Sequence, residues 1–196
     1  MTTSVTTRVD ERAIESAVSV ITLAFSADPV ARWVYPNAAD FYRYFPPFIR
    51  AFAGGAFEAG SAYVAEDGAG AALWLPPGVH PDEEAMGAII AESIPESRRD
   101  SLEAFVTVQG ELHPKEPHWY LPLIGVDPSR QREGHGSRLL RQALAVCDEG
   151  GLPAYLEATT PSSRELYKRH GFEAVNEIRA EGSPTMWGMI RPAGRA

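Results

Sequence analysis

The chain has 196 residues, 44% of them hydrophobic, with 26 acidic and 18 basic side chains and a formal net charge of −8. That length supports one core-forming domain over 1–196 without staples, and the acidic balance argues against general nucleic-acid binding, which needs a broad basic face. The lone cysteine, Cys147, excludes an intrachain disulfide; no leader-like apolar core opens the sequence and no apolar run is long enough to span a membrane, so a reducing, cytoplasmic setting is expected.

Asp10 is placed to cap a first helix over 11–25, where Ile14, Ala17, Val18, Ile21, Ala24 and Phe25 recur at helical spacing. Residues 26–57 are crowded with aromatics and interrupted by Pro29, Pro36, Pro46 and Pro47. They read as one or two short helices with irregular joints, the aromatics forming core and some walling a substrate pocket. Residues 61–78 read as a hairpin, with EDGAG as its turn. Residues 81–113 are polar and helical in tendency, broken at Pro95. HWYLPLIGV, 118–126, reads as a strand, but Pro122 removes a ladder donor from it, which a bulge or a splayed strand resolves.

A helix over 137–149 follows, burying Leu139, Leu140, Ala143, Leu144 and Cys147 and stopped by Gly150 and Gly151. Strand 153–159, helix 162–170 ending at Gly171, and strands within 172–180 and 185–192 close the chain. The order is that of a mixed α/β (α+β) domain.

GVDPSRQREGHGSRLL, 125–140, carries the clearest chemistry. A strand, a Pro turn and a Gly-rich helix start make an anion site: the first helical N–H groups lack internal partners, the helix dipole is positive there, and glycine lets a ligand approach the backbone. Arg130, Arg132 and Arg138 add local positive charge. The P-loop is excluded because no GKS or GKT occurs. A dinucleotide fingerprint fails because Gly134-His135-Gly136 is followed at its third glycine position by Leu139. The pattern that fits is Q-x-x-G-x-G, Gln131 to Gly136.

This stretch resembles the acetyl-CoA motif of the GNAT superfamily of N-acetyltransferases, and RELYKRHGF, 164–172, resembles that family's Leu-Tyr-x-x-x-Gly-Phe helix end, about one strand downstream. Within the family, YVAEDGAGAALWLPPG, HPKEPHWYL, GVDPSRQREGHGS and PAYLEAT resemble puromycin N-acetyltransferase-like proteins in the same order; the likeness is weakest over 28–57 and 81–112. The resemblance implies a largely antiparallel sheet of about six to seven strands, splayed at the acetyl-CoA strand. It implies acetyl-CoA as co-substrate, no metal, and transfer to a primary amine in a ternary complex. The arm of the cofactor would lie along Ile124, Gly125 and Val126. Its pyrophosphate would take N–H groups from Arg132, Glu133, Gly134, His135, Gly136 and Ser137, beside Gln131, with the Ser137 hydroxyl as a further donor. Glu133 stands where many relatives carry a basic residue, and weakens phosphate attraction unless it points outward or pairs with Arg130.

Tyr167 is the catalytic candidate, since family tyrosines at this place act as general acid toward the leaving thiolate; the alternative is a core tyrosine on a short helix. Glu157 comes next. It shares a strand face with Tyr155 and Thr159, opposite Ala154, Leu156 and Ala158, and a carboxylate there must be bonded or open to a cleft. It is a base for an ammonium substrate, or it orients substrate or anchors backbone. Glu116 and His118 are rivals for the base. His80, His113, His135 and His170 show no metal spacing, Thr160 replaces a family Asn that contacts the cofactor, and Cys147 is read as packing. The function expected is acetyl-CoA-dependent N-acetylation of a small-molecule amine by a monomer or homodimer. A non-catalytic acyl-CoA sensor, a protein N-acetyltransferase and use of longer acyl groups are the alternatives.

Overall fold

The computed structural model describes residues 6–65 and 67–194. The first five residues, at the start of the segment read for a leader, and Glu66 of the hairpin turn lie outside them. After strand β1 (Thr6–Arg8), Asp10 accepts from the Ala13 N–H and opens a 3-10 turn that runs into helix α1 (Ile14–Ala24). Asp28 caps α2 (Pro29–Val34), accepting from the Val30 and Ala31 N–H groups, with Pro29 in the first turn, where a missing N–H costs nothing.

The aromatic segment corrects the expected irregular joints. Asn37 caps α3 (Ala38–Ala53), a 16-residue helix that continues through Pro46 and Pro47. Those prolines remove the donors for the carbonyls of Tyr42 and Arg43, and both residues are exposed, so water takes over. The opposite face holds the helix, because Phe41, Phe45 and Ile49 are buried there and the rings of Phe41, Phe45, Phe48 and Phe52 stack in succession.

The remaining elements follow the expected order: α4 (Gly55–Glu58), β2 (Ala62–Ala65), β3 (Gly70–Leu75), α5 (Glu83–Ser93), α6 (Glu96–Leu112), β4 (Trp119–Val126), α7 (His135–Glu149), β5 (Ala154–Ala158), α8 (Pro161–Lys168), β6 (Glu173–Ile178) and β7 (Met186–Arg191). Ile94, extended because a proline follows it, separates α5 from α6. The seven strands run β1-β2-β3-β4-β5-β7-β6, and every neighbouring pair is antiparallel except β4 with β5.

Pro122 decides the shape of the sheet. Leu73 faces Leu123 while Leu75 faces Tyr120, so two steps on β3 match three on β4, and β4 bulges across Leu121 and Pro122. Pairing of β4 with β5 covers only Trp119–Leu121, and beyond Leu121 the two strands part. Both faces of the sheet are covered. Ala71, Leu73 and Leu75 pack with α1 and α3, while Ala72 and Trp74 of the same strand pack with α7. A small third cluster of Phe105, Ile178 and Met186 lies under α6. A Cβ on Gly125 would lie 2.7 Å from the Ala24 Cβ, so glycine there lets α1 sit directly on β4.

Candidate active site

The parted strands leave one edge of β4 unpaired, and the register says which groups line it. The Asp127 N–H bonds Ala69 O at 2.8 Å, on the β3 side. Backbone groups alternate along a strand, so Gly125 and Leu123 also turn toward β3, while Ile124 and Val126 turn to the open edge. Ile124 and Val126 thus present their backbone groups to the edge that β5 leaves open. Gly125 serves the contact with α1 instead of offering backbone to that edge. The Gln131 amide donates to Val126 O at 3.4 Å, tying the motif loop to the end of the strand.

After a 3-10 turn over Pro128–Arg130, the chain enters α7 through two left-handed residues, Arg132 with φ 66° and Gly134 with φ 84°. The first helical bond runs from the Arg138 N–H to Gly134 O at 3.1 Å. The N–H groups of His135, Gly136 and Ser137 precede it and point out of the helix start. A Cβ on Gly136 would stand 3.3 Å from Leu166, so α7 and α8 approach closely at this point. The charged side chains of the loop largely answer one another. Glu133 pairs with Arg130 at 2.9 Å, and Arg130 also pairs with Asp67 at 2.8 Å. These bonds hold the Glu133 and Asp67 carboxyls below the usual carboxylate range, led by Arg130 for Glu133 and by the Ala69 N–H for Asp67. His135 is buried; Arg138 donates to its Nδ1 at 2.9 Å, and its Nε2 lies 3.2 Å from Glu133. The Ser137 hydroxyl meets His170 Nε2 at 3.0 Å. The cradle therefore offers a row of backbone donors, while Glu133 is neutralised locally.

Thr160 caps α8 with a reciprocal box to Ser163, which sets the helix carrying Tyr167. The left-handed Gly171 ends the segment, and the Tyr167 carbonyl accepts from the His170 and Phe172 N–H groups. The phenol is buried, which pushes its pKa up, with the Asp28 carboxylate adding in the same direction. Asp28 is bonded by the Thr159 hydroxyl of the strand end and by two α2 N–H groups; burial nevertheless raises its pKa. Cys147 is fully buried, its thiol pushed up to about 12 by desolvation, which fits packing and not nucleophilic chemistry.

A family model described as the acetyltransferase (GNAT) family matches residues 41–172. The chain belongs to the GNAT acetyltransferase family. Membership makes it an acyltransferase enzyme, and the family's co-substrate is acetyl-CoA. An uncharacterized N-acetyltransferase of Schizosaccharomyces pombe is 25% identical over 179 residues, covering 84% of this chain and 72% of that protein. A Corynebacterium glutamicum structure described as histone acetyltransferase HPA2 and related acetyltransferase superposes with a TM-score of 0.70 at 26% identity, covering 98% of each chain. The Drosophila melanogaster polyamine N-acetyltransferase, which forms N-acetylagmatine, superposes at 0.66 with 16% identity over 96% of this chain and 99% of that one, a likeness of fold.

On the α1 and α3 side of the sheet, where β4 leaves β5, lies a cavity of about 160 Å³. Phe25, Phe45, Phe48, Phe52 and Phe105 wall it, and its polar groups include Asp28, Tyr35, Gln109, Tyr120, Glu157 and Thr159. Glu157 keeps only 6% of its side chain exposed. The Tyr120 hydroxyl donates to its Oε2 at 2.7 Å and Gln109 donates to its Oε1 at 3.4 Å. Burial, then the Glu157 charge, raises the Tyr120 phenol far above its ordinary range, so it stays a donor. His113 Nδ1 stands 3.7 Å from Glu157 Oε1.

Glu157 thus lies on the cavity wall, with His118 one imidazole further out and Glu116 on the exposed loop. The site also contains Asp28, Gln109, His113 and Tyr120, which the sequence reading did not single out for it. Asp28 carries a local signal as a cap before Pro29. His113 and Gln109 sit at the end of a polar helix, and only the folding of α6 across the sheet brings them to Glu157.

Proposed function

We propose that the protein acetylates the primary amine of a small molecule with an apolar, aromatic body, by direct attack in a ternary complex. The observation that carries this reading is the seating of Glu157 on the wall of an aromatic cavity, at the place where β4 and β5 part. The unpaired edge at Ile124 and Val126 and the N–H row at His135, Gly136 and Ser137 fit a pantetheine arm and a pyrophosphate. Acetyl-CoA bound there supplies the activated acetyl group.

The chain's own groups divide the rest. Two carboxylates in an apolar cavity, Asp28 and Glu157, attract an ammonium and reward its desolvation. Glu157 takes the proton that the amine must lose. A backbone N–H of Ile124 or Val126, at the open edge, steadies charge that develops on the carbonyl oxygen. Tyr167, kept protonated by its burial, gives a proton to the departing sulfur. Holding both substrates across the splayed strands supplies much of the acceleration. The resemblance to puromycin N-acetyltransferase-like proteins suggests a hydrophobic or nucleoside-like acceptor but is weakest in the segments that wall the cavity, so the acceptor's identity does not carry over; small amines are the named substrates of structural neighbours such as the Drosophila enzyme. A buried acid on the cavity wall, together with a buried phenol on the motif helix that does not itself line the cavity, supports catalysis over an acyl-CoA sensor. The lone buried Cys147 suits a cytoplasmic setting.

Thiol release from acetyl-CoA, measured over a panel of puromycin, arylalkylamines, polyamines, aminoglycosides and short peptides, tests the reading. Release is expected with the aromatic primary amines. Release with peptides alone, or with none, contradicts it.

A further inference from the structure

Glu157 is nearly closed off from water, so a proton it accepts from the amine needs a way out. Its side chain is only 6% exposed, and two of its neighbours, Tyr120 and Gln109, are themselves donors that cannot take a proton from it. The third neighbour is different. We propose that His113 and His118 form a proton relay that carries the amine's proton from Glu157 to the surface beside Glu116. The proposal rests on Glu157 being the base.

The tautomers follow from the hydrogen bonds. His118 Nδ1 lies 2.7 Å from the carbonyl oxygen of Glu116, which only accepts, so Nδ1 carries the hydrogen. In the neutral ring His118 Nε2 is then a lone pair. His113 Nε2 lies 3.1 Å from it and must be the donor. That leaves the lone pair of His113 Nδ1 turned toward Glu157 Oε1, at 3.7 Å. The two rings therefore run in one direction, acceptor end at the buried carboxylate and donor end at an exposed loop.

Packing keeps them aligned. His113 meets the rings of Tyr120 and Tyr155 edge-on, each at 4.8 Å between centroids, and His118 meets Tyr155 at 5.8 Å. Both imidazoles are part-buried and Glu116 is exposed, so the row crosses from the cavity to water.

The transfer balances as one proton in and one proton out. The amine N–H bond breaks as Glu157 Oε1–H forms. That proton passes to His113 Nδ1, the Nε2 proton of His113 passes to His118 Nε2, and the Nδ1 proton of His118 leaves to water. The relay leaves both rings in the opposite tautomer, and exchange with water at these part-buried side chains, His113 being 28% exposed, restores the starting ones before the next turnover. No electron transfer and no further reactant are involved. Neither histidine touches the amine, so both are positioning and relay groups and Glu157 remains the catalytic one.

Two measurements on the full chain decide it. Long-range ¹H–¹⁵N spectra of histidine-labelled protein should show neutral His113 protonated on Nε2 and neutral His118 on Nδ1; both rings protonated on Nε2 overturns the relay. Then kcat is measured with acetyl-CoA and 2-phenylethylamine in dilute buffer. His113→Gln and His118→Gln are each expected to lower kcat about tenfold, with KM for both substrates unchanged, and added imidazole should restore most of the loss. A kcat unchanged in both variants, or a loss that imidazole leaves in place, overturns the relay. Glu157→Gln separates the two claims. If it keeps full activity the base assignment fails and the relay with it. If it abolishes turnover while His113→Gln does not lower it, only the relay fails. If 2-phenylethylamine is not acetylated, the spectra alone decide.

Discussion

At the scale of single residues, Tyr167 and Glu133 make the sharpest demands. On the proposed mechanism, Tyr167→Phe removes the proton for the departing thiolate and leaves the ring's packing in place. It should lower kcat at least about tenfold, on the order of 1.4 kcal/mol of barrier, with acetyl-CoA affinity unchanged. Burial raises the phenol above its ordinary value of 10.0, so the acid form persists as pH rises through that value. The pH–kcat profile should therefore show no alkaline fall near pH 10 from this group, and a fall there that disappears in the Phe variant would contradict the assignment. Glu133 spends its charge on Arg130 and His135. Glu133→Gln removes one negative charge beside the N–H row, so acetyl-CoA should bind about two- to fivefold tighter at low salt, the gain fading as salt screens it. Calorimetric titration at two ionic strengths checks both parts. The cavity-facing side of β5 that carries Glu157 was legible in the strand alternation, and Tyr167 was singled out by the motif around it. His113 was not, because its partners come from residues 118 and 157, and proximity across the sheet leaves no local pattern.

Among elements, the glycines and prolines carry most of the information, and they were read unequally. Pro122 was legible as a conflict within a strand, and the bulge and splay resolve it by the means anticipated. Pro46 and Pro47 misled, since a proline's rule concerns the carbonyl four residues back, and only the fold shows that those carbonyls face water. Gly125 was legible as part of the motif, but its reason is the helix lying on it. Gly125→Ala forces its Cβ against Ala24, 2.7 Å away, and Ile21 is close behind. Overpacking of this kind costs about 1–3 kcal/mol, so the variant should unfold at lower denaturant, with its unfolding slope unchanged. An equal stability would mean that α1 yields easily and does not pin the splayed strand.

For the whole molecule, the order of elements and the mixed sheet were written in the hydrophobic periods, while the aromatic cavity was not. It is assembled from the turn after α1, from α2, α3, α5 and α6, and from β4, β5 and β7, and the segments with the least family likeness contribute most of its aromatic wall. On the proposed reading, an acidic molecule combines a backbone cradle for an anion at the start of α7 with an aromatic, carboxylate-bearing cavity for a cation where β4 and β5 part. The proposed acceptor's character rests on that cavity more than on the motif. The most direct test is the ratio of kcat/KM for 2-phenylethylamine to that for spermidine, by thiol release at saturating acetyl-CoA. Burying the apolar body of the first, against the cost of desolvating the extra charges of the second, predicts a ratio of at least about 100. A ratio below one would contradict the account, since it would place a polycation where the structure builds an aromatic wall.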